Sequence, residues 1–225
     1  MTAYYNINPQ FYVSVDCIIF GLNEGELSLL LLKRNFEPEK GKWSLMGGFV
    51  QNDESVDAAA KRVLKELTGL ENVYMEQVGA FGEVDRDPGE RVISVAYYAL
   101  INIDEYDRKL VKKHNAQWIN IHDLPELSFD HPAMIEKARD LMRRKASLEP
   151  IGLNLLPRLF TLSQMQSLYE TIQGETIDKR NFRKKVAEMD YIEKTEMIDK
   201  SCSRRGAYLY KFNNKAYNRD PRFKL

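Results

Sequence analysis

Apolar positions along the chain follow two periods, and the switches between them mark out the elements. Phe11–Phe20 is rich in β-branched and aromatic residues and reads as a strand, with a turn at Gly21–Glu26. Leu27–Arg34 reads as the return strand. Its four successive leucines, Leu29 to Leu32, predict burial on both faces. Val73–Phe81, Val92–Ile103 and Asn115–Ile121 read as further strands. Between these runs the period becomes helical. Val56, Ala59, Ala60, Val63, Leu64 and Leu67 form an i, i+3, i+4, i+7, i+8, i+11 stripe. Asp53 or Asn52 is expected to cap that helix, and Gly69 to end it in the left-handed conformation. A second helix is expected over His131–Lys145, with Pro132 in its first turn and Met134, Ile135, Ala138, Leu141 and Met142 on one side.

The pattern then changes again. Ala146–Gly152 reads as a hinge. Thr161 and Gln164 form a capping box, with Phe160 and Met165 as its hydrophobic staple. Leu162, Met165, Leu168, Tyr169 and Ile172 line one face of the helix, and Gly174 can end it. Asp178 can cap a next helix whose buried stripe is Phe182, Val186 and Met189. Its other faces carry Lys179, Arg180, Asn181, Arg183, Lys184 and Lys185. Tyr191–Met197 and Ala207–Phe212 read as strands around a tip that holds Lys200, Arg204 and Arg205. Helix, turn, basic helix and hairpin describe a winged helix-turn-helix that binds double-stranded DNA. The second helix enters the major groove, and the wing tip reaches phosphates or the minor groove. A basic run alone is more often a solvated helix face. A second basic cluster where a wing would put it favours a phosphate grip. Arg180, Asn181 and Arg183 are the candidate base readers, since Arg pairs bidentately with guanine and Asn with adenine.

Charge supports two modules. The formal net charge of the 225 residues is zero, but residues 1–150 hold 18 Lys+Arg against 24 Asp+Glu, and residues 151–225 hold 15 against 9. Cys17 and Cys202 are too far apart in sequence to argue for a disulfide framework or a zinc site. Cys17 lies in an apolar run and reads as core. The opening residues carry no signal-peptide pattern, and no apolar run suits a membrane span, so a cytoplasmic, non-membrane protein is expected. His114, His122 and His131 lack ligand spacing and read as surface or capping residues; no metal and no cofactor is expected.

The most specific stretch is the first helix with the residues ahead of it. Gly48, Glu54, Arg62, Leu64, Glu66, Gly69 and Leu70 fit the spacing of the Nudix box, which runs Gly, five residues, Glu, seven residues, Arg-Glu-apolar-x-Glu-Glu-x-Gly-apolar. Lys42–Phe49 resembles that family's Trp-x-Leu-Pro-Gly-Gly-Phe strand, with Met46 for the proline. The resemblance implies a Nudix α/β/α sandwich with a mixed sheet, in which the loop after Arg34 borders the substrate pocket. Val63 and Leu67 stand where the family has glutamates. Three carboxylates within one helical turn would hold the divalent metal of a family hydrolase, and Glu66 alone there does not replace them. Without metal, the leaving phosphate loses its charge neutralisation and the water its activator. The expectation is a degenerate box that binds and does not cut.

A Nudix-like domain followed by this winged helix resembles the Nudix-related transcriptional regulators of bacteria. The carriers are Arg180–Lys185 and Gly206–Phe212, besides the box. The resemblance implies an α+β chain with an effector-sensing domain at 1–147 and a DNA-binding domain at 148–225. It implies a homodimeric repressor on a palindromic operator. Family branches answer to ADP-ribose or, in Bacteroides-type bacteria, to L-arabinose; the chain looks most like the arabinose branch. A sugar pocket would draw on Trp43, Glu83, Asp85 and Arg91, whereas ADP-ribose would call on Arg86 or Arg91 for its diphosphate. Two rivals from other classes are a working hydrolase, with Glu83 or Glu90 completing a metal site beside Glu54 and Glu66, and a protein-binding adaptor.

Overall fold

The computed structural model describes residues 7–23, 25–103, 112–201, 206–219, 221 and 223. Strand β1 (Tyr12–Asn23) is the centre of a seven-stranded mixed sheet. It pairs antiparallel with β2 (Glu26–Lys33) and β4 (Met46–Phe49) and parallel with β6 (Val92–Ile101). β5 (Tyr74–Phe81) lies antiparallel on β6; β3 (Trp43–Ser44) and β7 (Ala116–Asn120) lie antiparallel on β2. Strand alternation divides β1 between two cores. Val15, Cys17 and Ile19 face helix α1 (Val56–Thr68), while Ile18 and Phe20 face helix α2 (His131–Ala146). The leucine run is buried at Leu29, Leu30 and Leu31, while Leu32, next to the last residue of β2, is partly exposed.

Local signals set most boundaries. Gly69 ends α1 with φ 75°, as expected. The cap is Ser55, not Asp53 or Asn52: its side chain accepts from the Ala58 N–H at 3.1 Å, because the chain turns helical only at Val56. His131 is also not a surface residue; it is 2% exposed, held inside by the first turn of α2.

The expected hinge is in fact ordered packing. Pro150–Leu155 forms a 3-10 helix with Pro150, Ile151, Gly152, Leu153 and Leu155 buried. β8 (Phe160–Thr161) leads into α3 (Leu162–Gln173), whose Thr161–Gln164 capping box and left-handed Gly174 match expectation. α4 (Lys179–Ala187) is capped by Asp178 and buries Phe182 and Val186. β9 (Ile192–Asp199) and β10 (Ala207–Phe212) form the hairpin, with β8 completing a three-stranded sheet in the order β8-β10-β9. Sequence missed the short α5 (Asn214–Arg219), which lays Tyr217 against Tyr191 and Phe212. One apolar cluster runs without a break from Ile18 and Phe20 through Met134 and Ile151 to Phe182 and Tyr191.

Candidate functional sites

Helix α1 presents its charged face to solvent and its apolar face to the sheet. Arg62 organises the charged face. Its Nε and Nη2 donate to both oxygens of Glu54 at 2.9 and 2.6 Å, and Nη2 also donates to the Phe49 carbonyl at 3.1 Å. Glu66 stands 3.5 Å from Arg62 Nη1. The Arg62 hydrogen bonds, with the Gln51 N–H, hold the Glu54 carboxyl down to about 2. Gly48 lies against Val63: a Cβ there would stand 3.0 Å from Val63 Cγ2. Val63 is 2% exposed and Leu67 9%, both in the core. Glu54 is committed to Arg62, the positions one turn apart are apolar and inward, and no group of three metal-ligating side chains occurs among the described residues.

On the opposite face of the sheet, four distant segments assemble a buried charge cluster. Asp16 sits in the middle of β1, where it accepts from Ser94 Oγ at 2.6 Å. Arg86 reaches it from the β5–β6 loop, with Nη2 at 3.6 Å, and donates bidentately to Asp130 at 2.7 and 3.0 Å. His131 places Nε2 3.6 Å from Asp16, while its Nδ1 accepts the Leu45 N–H at 3.2 Å. Burial alone would raise the Asp16 carboxyl; His131, Ser94 and Arg86 outweigh that and hold it below the usual range. For Arg86, burial opposes the charge, but Asp130, Asp16 and Asp87 win and keep it firmly protonated. Glycine is required at 47 by the same strand: a Cβ there would collide with Asp16 Oδ1 and the Val15 carbonyl. At the mouth of this region Arg34 lies over the rings of Phe36 and Phe129, at 4.3 and 4.9 Å, with its Nε donating to the Pro38 carbonyl at 2.9 Å.

The anticipated effector residues are only partly gathered. Glu83 and Arg91 meet at the loop neck, where Arg91 Nη1 donates to the Glu83 carbonyl at 2.8 Å and the guanidinium lies over Phe11 at 5.2 Å. Asp85 is exposed on the same loop. Trp43 lies on β3 and packs on the main core, its carbonyl accepting from the Ser128 N–H at 2.8 Å. Arg86 is not presented to a diphosphate in this structure: its side chain is 3% exposed, and its Nε and Nη2 both donate to Asp130. Sequence reading did not single out Asp16, Asp130 or Arg34. One signal was present: an aspartate inside the apolar run Val13–Phe20 must find buried partners.

The winged half displays the anticipated basic surface. Lys179, Arg180, Asn181, Arg183 and Lys184 are exposed on α4, opposite buried Phe182 and Val186. None of the basic four is in an ion pair with another described residue. Asp178 accepts the Asn181 N–H at 2.7 Å and so fixes the start of the helix. Lys200 is exposed at the end of β9; Arg204, Arg205 and Cys202 lie outside the described residues. On the hairpin, Lys194 Nζ stands 3.4 Å over the Tyr208 ring.

A Nudix fold whose last third is a winged helix defines the class. Residues 11–141 match the NUDIX domain and residues 152–212 the NrtR DNA-binding winged helix domain. The chain is 34% identical over 214 residues to the ADPR responsive transcriptional repressor NtrR of Acinetobacter baylyi, across 93% of this chain and 85% of that one. It therefore belongs to the NrtR-type Nudix regulators. Its fold is similar to that of Shewanella oneidensis NrtR complexed with a 27mer DNA, with TM-score 0.83, 28% identity, and coverage of 95% of this chain and 97% of that one. The NUDIX domain of the same Shewanella protein, complexed with ADP ribose, matches with TM-score 0.51 and 29% identity over 60% of this chain and 91% of that one.

Proposed function

We propose that this chain is a transcriptional repressor that binds double-stranded DNA through its winged half and answers to ADP-ribose through its Nudix half. The observation that carries the reading is the exposed, unpaired basic face of α4, on a chain that resembles, over 95% of its length, Shewanella oneidensis NrtR complexed with DNA. The effector domain is taken as residues 1–147 and the DNA-binding domain as 148–225. The protein works as a homodimer on a palindromic site, since two copies of α4 one helical turn apart read two half-sites. Such a role belongs in the cytoplasm.

ADP-ribose replaces arabinose as the favoured effector. The relatives that speak to an effector name ADP-ribose, and none of those described above names a sugar. Glu83, Asp85 and Arg91 on the 82–91 loop, and Trp43 on β3, are the contacts to test. Binding without hydrolysis follows from the box chemistry: Val63 and Leu67 leave no carboxylate set for magnesium, and Glu54 is spent on Arg62. Calorimetric titration with ADP-ribose and with L-arabinose tests the effector; saturable binding of ADP-ribose alone is expected. A response to arabinose alone overturns that assignment. Magnesium-dependent turnover of ADP-ribose, abolished by Glu66→Gln, would make the chain a hydrolase instead.

A further inference from the structure

The geometry points to α2 as the element that carries effector occupancy to the DNA-binding half, with the Arg86–Asp130 pair as its coupling joint. This rests on the reading above and specifies its regulation. α2 has 16 residues, so it is a rod of about 24 Å. Asp130 occupies its N-cap position yet makes no side-chain cap hydrogen bond. An aspartate there ordinarily accepts from the first free N–H groups of its helix. Here both carboxylate oxygens are turned outward to Arg86, on the loop that also holds Glu83, Asp85 and Arg91. The next residue, His131, takes the Leu45 N–H, two positions before the glycine pair of the box. The start of α2 is therefore tied both to the 82–91 loop and to the segment ahead of the glycine pair.

The far end is tied to the winged half. Arg143 Nε donates to the Ile172 carbonyl at 3.1 Å, and Gln173 Nε2 donates to the Arg143 carbonyl at 3.2 Å. Ile172 and Gln173 close α3, just ahead of Gly174 and the basic helix α4. Lys145 also binds both oxygens of Glu76 on β5 at 2.9 Å, so the rod is clamped to the sheet at this end. Met142 and Ala146 are buried in the continuous core. A close-packed rod does not absorb a displacement at one end; it passes it on as a rigid shift. Arg86 thus acts as a positioning residue. A ligand that reorders the 82–91 loop moves Asp130, and with it the seat of α3 and α4.

The test uses the full chain, with a duplex that the chain itself selects from a random pool. Asp130→Ser keeps a residue able to cap α2 but removes the carboxylate that Arg86 grips. Affinity for the duplex is measured with and without saturating ADP-ribose, and ADP-ribose affinity by calorimetry. In the wild type the two DNA affinities should differ by about 5- to 150-fold. In Asp130→Ser each binding on its own should stay within about threefold of wild type, while the ratio falls below about twofold. A wild-type ratio in the variant overturns the inference and leaves the ADP-ribose reading standing. A wild-type ratio of one sinks that reading, and the inference with it. Hydrogen exchange on the wild type decides the matter even if the variant does not fold. ADP-ribose should alter protection at 131–146 and 172–174. Changes confined to 82–91, with DNA affinity still shifting, refute the rod.

Discussion

Val63→Glu restores a glutamate of the family pattern, and its cost measures how far this helix has turned away from metal chemistry. Val63 is 2% exposed in the core that also holds Val15, Ala59, Leu64 and Leu67, and a Cβ at Gly48 would stand 3.0 Å from its Cγ2. The substitution loses about 1.5 kcal/mol of apolar burial. Overpacking beside Gly48 adds about 1–3 kcal/mol. The nearest helix cation, Arg62, is already taken by Glu54, so the new carboxyl is unpaired. It survives inside only by staying protonated, and an unpaired buried hydroxyl costs about 1–3 kcal/mol in proteins. The whole loss at pH 7 is about 4 kcal/mol or more, a large share of the roughly 5–15 kcal/mol that stabilises a domain. The sign with pH follows from a raised folded-state value. The deficit is smallest below about pH 4.3, where the acid is protonated in both states, and grows as pH rises towards the folded value. Leu67→Glu, at the rim of the same core, is the control and should cost about 2 kcal/mol. Urea unfolding across pH 4–8 is the assay. A Val63→Glu deficit below about 1 kcal/mol, flat with pH, would refute the claim that this position belongs to the core.

Phe182→Ala empties a fully buried site under the basic helix and should cost about 3–5 kcal/mol by denaturant unfolding; a loss below 1 kcal/mol would mean that α4 is not anchored through this ring. Lys184→Ala should lower the slope of log affinity against log salt by about 0.9 per protomer, equally on all duplexes. Arg183→Ala should instead cost about 1–3 kcal/mol on the selected duplex and less on others; fluorescence anisotropy at several salt concentrations separates the two, and identical behaviour would deny Arg183 a reading role.

Elements whose ends are set by neighbours in sequence were legible beforehand. Thr161 and Gln164 cap each other across three residues, Asp178 caps α4, and Gly69 and Gly174 stop their helices, because each of these bonds closes within one turn. Where local signals competed, reading failed: Ser55 won the cap from Asp53 and Asn52, a choice made by where the chain leaves β4. The 146–152 segment looked like a hinge because Gly and Pro punctuate it, yet Ala146, Pro150 and Ile151 are buried, and Ala146 and Ile151 belong to the core that spans both halves. Arg86 looked like a ligand contact on a polar loop and turned out to be buried against a residue 44 positions away.

By itself the sequence determined the periods, the caps, the box spacing and the basic helix, since these depend on residues a turn or a strand-step apart. Only the tertiary structure decided that Asp16, Arg86, Asp130 and His131 form one cluster, and that α2 runs from that cluster to the end of α3. The reason is physical. A buried charge must find a partner of opposite sign, but nothing local says which of the distant loops will supply it until the sheet has brought them together.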